Sequence, residues 1–274
     1  MPFPAGQVPV VPDIVMPETA QTVATASVAV VALIAVAVAV RYGARHRTPF
    51  YLVVLLGGVI ASFNEPIADL LGGCLHPQTG AWVVFTTFDR PIPAWAVIAY
   101  GLFFGAVPLL VYALMRRAAN PRARMLQSVA VIFTANLLIE IPILSGDVYV
   151  YYGEQPFKAF GLFPLHWLFI NGVGVATIAV VLHRVGHRFT GAGVLWFLAI
   201  PGTAQIAAFS VALPAFSLYN TEAASEWKWL ASAATMLLGA ATLHGLSKLV
   251  PTTSAGPVTG AADRAPAAVG SGQV

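Results

Sequence analysis

The chain has 274 residues, of which 58% are hydrophobic and only 9% charged, with a formal net charge of +3 and a mean hydropathy of +0.79. Soluble domains carry about a quarter charged residues, so the composition excludes an ordinary soluble protein and indicates an all-α integral membrane protein, multi-pass in the cell membrane. The single cysteine, Cys74, excludes an internal disulfide and a multi-thiolate metal site, and nothing in the charge pattern suggests a nucleic-acid partner.

Residues 1–18 hold no basic stretch, and the first apolar run ends in RYGARHR, so the pattern predicts an extracytoplasmic N-terminal segment and a retained anchor rather than a cleaved signal peptide. Crossing about 30 Å of hydrocarbon takes roughly 20 apolar residues. Runs of that length fall at 20–41, 50–72, 93–115, 125–145, 162–183, 192–214 and 227–249, predicting a bundle of seven transmembrane helices within a domain over 19–250. The last stretch, 251–274, is rich in Pro, Gly, Ala, Thr and Ser and is expected to form a disordered cytoplasmic tail. Basic residues set the orientation. Nine of them (Arg41, Arg45, Arg47, Arg116, Arg117, Arg122, Arg124, Arg184 and Arg188) lie in the odd-numbered connections, against Arg90, Lys158 and Lys228 in the others, which predicts the N-terminus outside and the C-terminus cytoplasmic.

Against this apolar background a few polar side chains stand out. FNEPIAD closes the second span and carries Asn64, Glu65 and Asp69, the two acids one helical turn apart. The fourth span carries Asn136 and Glu140 at the same spacing, and His166 lies near the start of the fifth. At 1.5 Å per residue these groups come to similar depth in the outer half of the membrane. An ionisable side chain there costs roughly 2.5–3.5 kcal/mol, so it persists where it is paired, hydrated or used. The reading is one cavity lined by Glu65, Asp69, Glu140 and His166, with Pro66, Pro142 and Pro164 loosening the backbone beside them. Aromatic residues crowd the same side: Trp82, Phe85, Phe88 and Trp95, then Tyr149, Tyr151, Tyr152, Phe157, Phe160, Phe163 and Trp167. Such rings form an interfacial belt or a pocket wall; Trp82, Tyr149, Tyr151, Phe163 and Trp167, with Asn64 and Asn136, are the candidates for contacting a substrate. GLFFG, with Gly101 and Gly105, has the spacing of close helix packing and permits a dimer without requiring one.

In these residues the chain resembles the AveC-like spirocyclase family, bacterial membrane proteins named for the enzyme that helps close the spiroketal of avermectin-type polyketides. The family pattern has an Asp-Pro with an Asn three residues on, an acidic residue and a Glu one turn apart, and a Gly- and Tyr-rich outer segment leading into Phe-Pro-Leu-His. The counterparts here are Glu65-Pro66 with Asp69, Asn136 with Glu140, then Gly146, Tyr149, Tyr151 and Gly153, then Phe163-Pro164-Leu165-His166, within roughly residues 60–185. Three positions depart from the pattern: Glu65 replaces an Asp, Asn136 replaces an acid, and Trp167 stands where many relatives carry a Glu.

The resemblance implies natural-product biosynthesis by a cofactor-independent, metal-free cyclase acting on a lipophilic small molecule. General acid–base chemistry then falls to Glu65 and Glu140, with Asp69 and Asn136 holding them and His166 relaying protons or orienting a carboxylate. Two other functions use the same residues. A protonation-initiated terpenoid cyclase would direct the acid at an alkene or epoxide, and a proton-coupled transporter of a small lipophilic solute would use intramembrane acids as proton carriers. A retinal protein is excluded because the lysines of the seventh span, Lys228 and Lys248, lie only at its ends.

Overall fold

The computed structural model describes residues 6–253; residues 1–5, and residues 254–274 of the expected disordered tail, lie outside the described residues. Among the described residues, seven helices are long and apolar enough to cross a membrane: α1 (Glu18–His46), α2 (Phe50–Gly72), α3 (Ala94–Arg117), α4 (Pro121–Ser145), α5 (His166–Arg188), α6 (Gly191–Tyr219) and α7 (Ser225–Lys248). Their bounds follow simple local chemistry. Asn120 accepts from the Ala123 N–H at 3.0 Å and caps α4, and Pro121 occupies the first turn, where its missing N–H costs nothing. Helix α5 begins at His166, later than the apolar run suggests, because β6 (Phe163–Pro164) pairs with β5 (Lys158–Ala159) just before it.

Several helices are irregular where the sequence carries Pro or Gly. A 3₁₀ turn at Ser62–Asn64 interrupts α2 immediately before Glu65, and Pro66 opens the segment that follows. Helix α3 widens into a π-helical stretch, Gly101–Ala106, ahead of Pro108. That stretch is GLFFG and its following alanine. Gly105 packs directly on Gly58 and the Leu55 backbone of α2, too close for a Cβ on either glycine. Both GLFFG glycines are therefore buried within this chain, and they are not a free surface for a second copy.

The most enclosed helix is α5, with 61% of its apolar window buried, and the least is α1, with 6%. Helix α5 packs on α3, α4, α6 and α7, whereas α1 leans on α2 and α3. Short strands cover one end of the bundle. There β1 (Cys74–Leu75) pairs with β4 (Val150–Tyr151), and β2 (Val83–Thr87) pairs with β3 (Arg90–Pro93). Gly73 makes the turn from α2 into β1, in the left-handed region at φ +61°. The Gln155 amide locks that turn by donating to the carbonyls of Gly72, Gly73 and Tyr152 at 2.8–3.0 Å. The N-terminal segment joins the same cover: Met16 N–H donates to Thr79 O at 2.8 Å, and Gln21 holds Gly80 O and Trp82 N.

Candidate functional site

Beneath this cover lies a cavity of about 520 Å³, within the range that takes a drug-sized ligand. Carboxyl groups from two helices line it: Glu65 and Asp69 of α2, and Glu140 of α4. Each has a distinct set of partners. Glu65 accepts a short hydrogen bond from the Tyr100 hydroxyl of α3. Tyr100 in turn accepts from Gln205 Nε2 of α6 at 2.6 Å, and Gln205 Oε1 accepts from Asn64 Nδ2 at 3.0 Å. Glu140 Oε1 accepts from Asn136 Nδ2 at 2.9 Å, one turn away on α4, and Asn136 Oδ1 accepts from Asn171 Nδ2 of α5 at 3.0 Å. Two amide relays thus fix two carboxyl groups, each anchored on a neighbouring helix.

Asp69 is buried and pairs through Oδ2 with Nδ1 of His76 at 3.1 Å. His76 lies just beyond β1, and the turn at Gly73 carries it back over the acids. Burial by itself pushes the His76 imidazole down. The charge of Asp69 and its hydrogen bond, with the charges of Glu65 and Glu140, outweigh that effect and hold His76 above the ordinary histidine value of 6.5. Next to it, burial first and the charges of Asp69 and Glu65 second push the Cys74 thiol well up, leaving an unreactive thiol. The rings of Trp95 and Tyr149 flank His76 at 5.4 and 5.6 Å between centroids. Tyr151, Trp167, Phe103, Phe104 and Phe209 extend the apolar wall.

Four buried polar atoms on cavity-lining residues have no partner: Asp69 Oδ1, Glu140 Oε2, and the indole nitrogens of Trp95 and Trp167. A buried polar group left unsatisfied costs roughly 1–3 kcal/mol. Two carboxyl oxygens and two N–H donors on residues of one cavity wall are thus left without partners, each atom itself almost wholly buried. Glu65, Asp69 and His76 also offer ligand atoms that all lie within 4.8 Å of one another, a spacing a divalent cation can bridge with small shifts, and the sequence reading did not anticipate it.

Of the residues expected at the site, Glu65, Asp69, Asn136, Glu140, Tyr149, Tyr151 and Trp167 do line one cavity. Four others do not. His166 is fully buried on another face of α5, with its Nδ1 3.2 Å from the Tyr219 hydroxyl, which meets Ser232 Oγ at 2.5 Å. Successive helix residues point about 100° apart, so turning Trp167 into the cavity turns His166 toward α6 and α7. Asn64 sits behind Gln205, donating to it and to Gly202 O. Phe163 is buried edge-on behind Tyr151. Trp82 stands at the outer surface with its side chain 47% exposed, its backbone bonded to Gln21 and Ala94, as an interfacial ring would.

Sequence reasoning placed none of His76, Tyr100, Asn171 and Gln205 at the site. The signal for Tyr100 was a phenol in mid-span, which needs a partner when buried. His76 had no signal until the Gly73 turn was known, since its approach to Asp69 depends on the chain reversing there. Among family models, curated proteins and solved structures, none matches this chain.

Proposed function

We propose that this protein is a membrane-embedded acid–base cyclase that closes rings of the spiroketal type in a lipophilic, oxygen-bearing intermediate, with its N-terminus and its cavity on the extracytoplasmic side. The observation that carries the reading is that three carboxyl groups from two helices, Glu65, Asp69 and Glu140, line one apolar cavity together with Trp95, Tyr149 and Trp167. A hydroxy-ketone offers oxygen atoms to such a cluster of carboxyl groups, whereas a plain polyene offers none, which favours an oxygenated substrate over a hydrocarbon one. The basic-residue asymmetry supports the orientation, because the connections rich in arginine lie at the end away from the cavity.

The chemistry asks for two proton-transfer groups that face each other without touching. In the first addition, one carboxyl group protonates the ketone oxygen while the other takes the proton of the attacking hydroxyl, giving a hemiketal. Protonation of the hemiketal hydroxyl releases water and leaves an oxocarbenium ion. The second hydroxyl then attacks this ion and gives up its proton, so the net change is loss of one water. Glu65, held by Tyr100, and Glu140, held by Asn136, are the acid and base in this scheme. The Asp69–His76 pair lies beside them as a fixed dipole, and the faces of Trp95, Tyr149 and Trp167 shelter positive charge on carbon. Closure of the cavity by the strands excludes the water that would compete with the second hydroxyl.

Incubating the reconstituted protein with a linear dihydroxyketone and, separately, with a linear prenyl compound tests the reading. Conversion of the former with loss of one water, abolished in Glu65→Gln, is expected. Conversion of the prenyl compound alone would replace it with the terpenoid reading, and proton-driven uptake of an unaltered solute would replace it with transport.

A further inference from the structure

The cavity has two unlike ends. At the Asp69 end the lining is closed: Asp69, Cys74, His76, Trp95 and Tyr149 are all buried. The β1–β4 ladder and the Gln155 lock lie over it, and the N-terminal segment adds to the cover through Met16 and Gln21. At the other end the lining passes outward between α1 and α4, through Ser27, Val28 and Val31 on one side and Ala135, Ile139 and Ile143 on the other. Ser27, Val31 and Ile139 are exposed on the apolar flank of the bundle. Helices α1 and α4 flank this gap without packing along each other. Apart from Ser27, this passage offers only hydrocarbon side chains, and on such a flank bilayer lipid is the adjoining solvent.

From these two ends we propose that the passage between α1 and α4 is a binding site for the long apolar chain of a membrane-dissolved ligand, which enters sideways from the bilayer with its oxygenated end leading. The use of this site in ring closure rests on the function proposed above; the occupancy of the passage does not. A ligand arriving from water would have to breach the buried strand cover. One dissolved in lipid meets Val31 and Ile139 first, with Glu140 the next residue on α4, and the lining continues with Phe103, Ile132 and the other carboxyl groups. Matching apolar chain to apolar passage leaves its polar end the only part able to hydrogen-bond with the carboxyl groups that line the cavity.

The test uses the full chain in phospholipid nanodiscs with a long-chain alcohol carrying a diazirine, photolysed and mapped by mass spectrometry. Labels are expected on the passage residues and on interior residues such as Asn136 and Asn171. The double variant Val31→Trp/Ile139→Trp narrows the mouth and is expected to reduce interior labelling about tenfold. Leu33→Trp, an exposed α1 position outside the cavity lining, is expected to leave labelling unchanged and so controls for folding. Glu65→Gln should keep its labels while losing turnover. Interior residues left unlabelled in the parent protein, or labelled equally by a water-soluble membrane-impermeant diazirine, overturn the passage, as does undiminished labelling in the double variant. Normal labelling with no ring closure on any substrate would instead overturn the proposed reaction and leave the passage standing.

Discussion

Replacing Glu65 by Gln isolates proton transfer from architecture. The substitution conserves volume and keeps a carbonyl oxygen where Tyr100 now donates, so the chain of bonds from Asn64 through Gln205 and Tyr100 stays intact. Hydrogen bonds to charged groups are worth about 1.5–3 kcal/mol and neutral ones about 0.5–1.5. The change in folding stability is therefore expected to be about 1 kcal/mol, and the desolvation that a carboxylate pays in this site reduces it further. A general acid or base contributes about 10²–10⁴ in rate, or roughly 2.7–5.4 kcal/mol of barrier at 1.36 kcal/mol per tenfold. The expected result is a fall of that size in kcat with little change in KM. Glu140→Gln should do the same, and the double variant should be no slower than the slower single one, because the two groups serve the same step. Turnover is measured in proteoliposomes by mass spectrometry of the dehydrated product, and folding by thermal unfolding of the same samples. A kcat within about threefold of the parent in folded Glu65→Gln would refute the assignment, as would fully additive losses in the double variant.

His166→Phe removes one of the two partners of the Tyr219 hydroxyl, leaving Ser232, in the packing between α5, α6 and α7, and is expected to cost about 0.5–1.5 kcal/mol of stability while turnover per folded molecule is unchanged. Assayed by activity normalised to folded protein, a rate loss without unfolding would return His166 to the reaction. Because the His76 pKa is raised in the folded state above its ordinary value of 6.5, the folded protein binds the proton more tightly than the unfolded chain. Its contribution to stability is then fully present below about pH 6.5 and lost as pH rises through the raised value. Thermal unfolding across that range should show the decline in the parent and a flatter curve in His76→Gln; equal slopes would refute the pairing with Asp69. If protons alone do the chemistry, dialysis against a strong chelator leaves turnover unchanged. Activity lost to the chelator and restored by one divalent metal would reassign Glu65, Asp69 and His76 as its ligands.

The seven long helices were legible in the chain because a run long and apolar enough to cross a bilayer is a local signal. So was the pairing of Glu140 with Asn136, since residues four apart on one helix meet whatever surrounds them. The sequence also marked Glu65 and Asp69 by their cost in hydrocarbon. What local pattern cannot carry is the rotation of one helix relative to another. FPLHW read as a motif ending in a catalytic imidazole, yet His166 and Trp167 are neighbours pointing to different faces, and packing against α6 and α7 decided which of them meets the cavity. The imidazole at the acids came instead from His76, delivered by the left-handed turn at Gly73, while Tyr100 reached Glu65, and Gln205 reached Tyr100, from other helices of the chain. The sequence by itself determined the long apolar helices and the polar residues that needed partners, because desolvation acts on each residue alone. Only the tertiary structure decided the partners, because hydrogen bonds between helices depend on the phase and depth at which those helices pack.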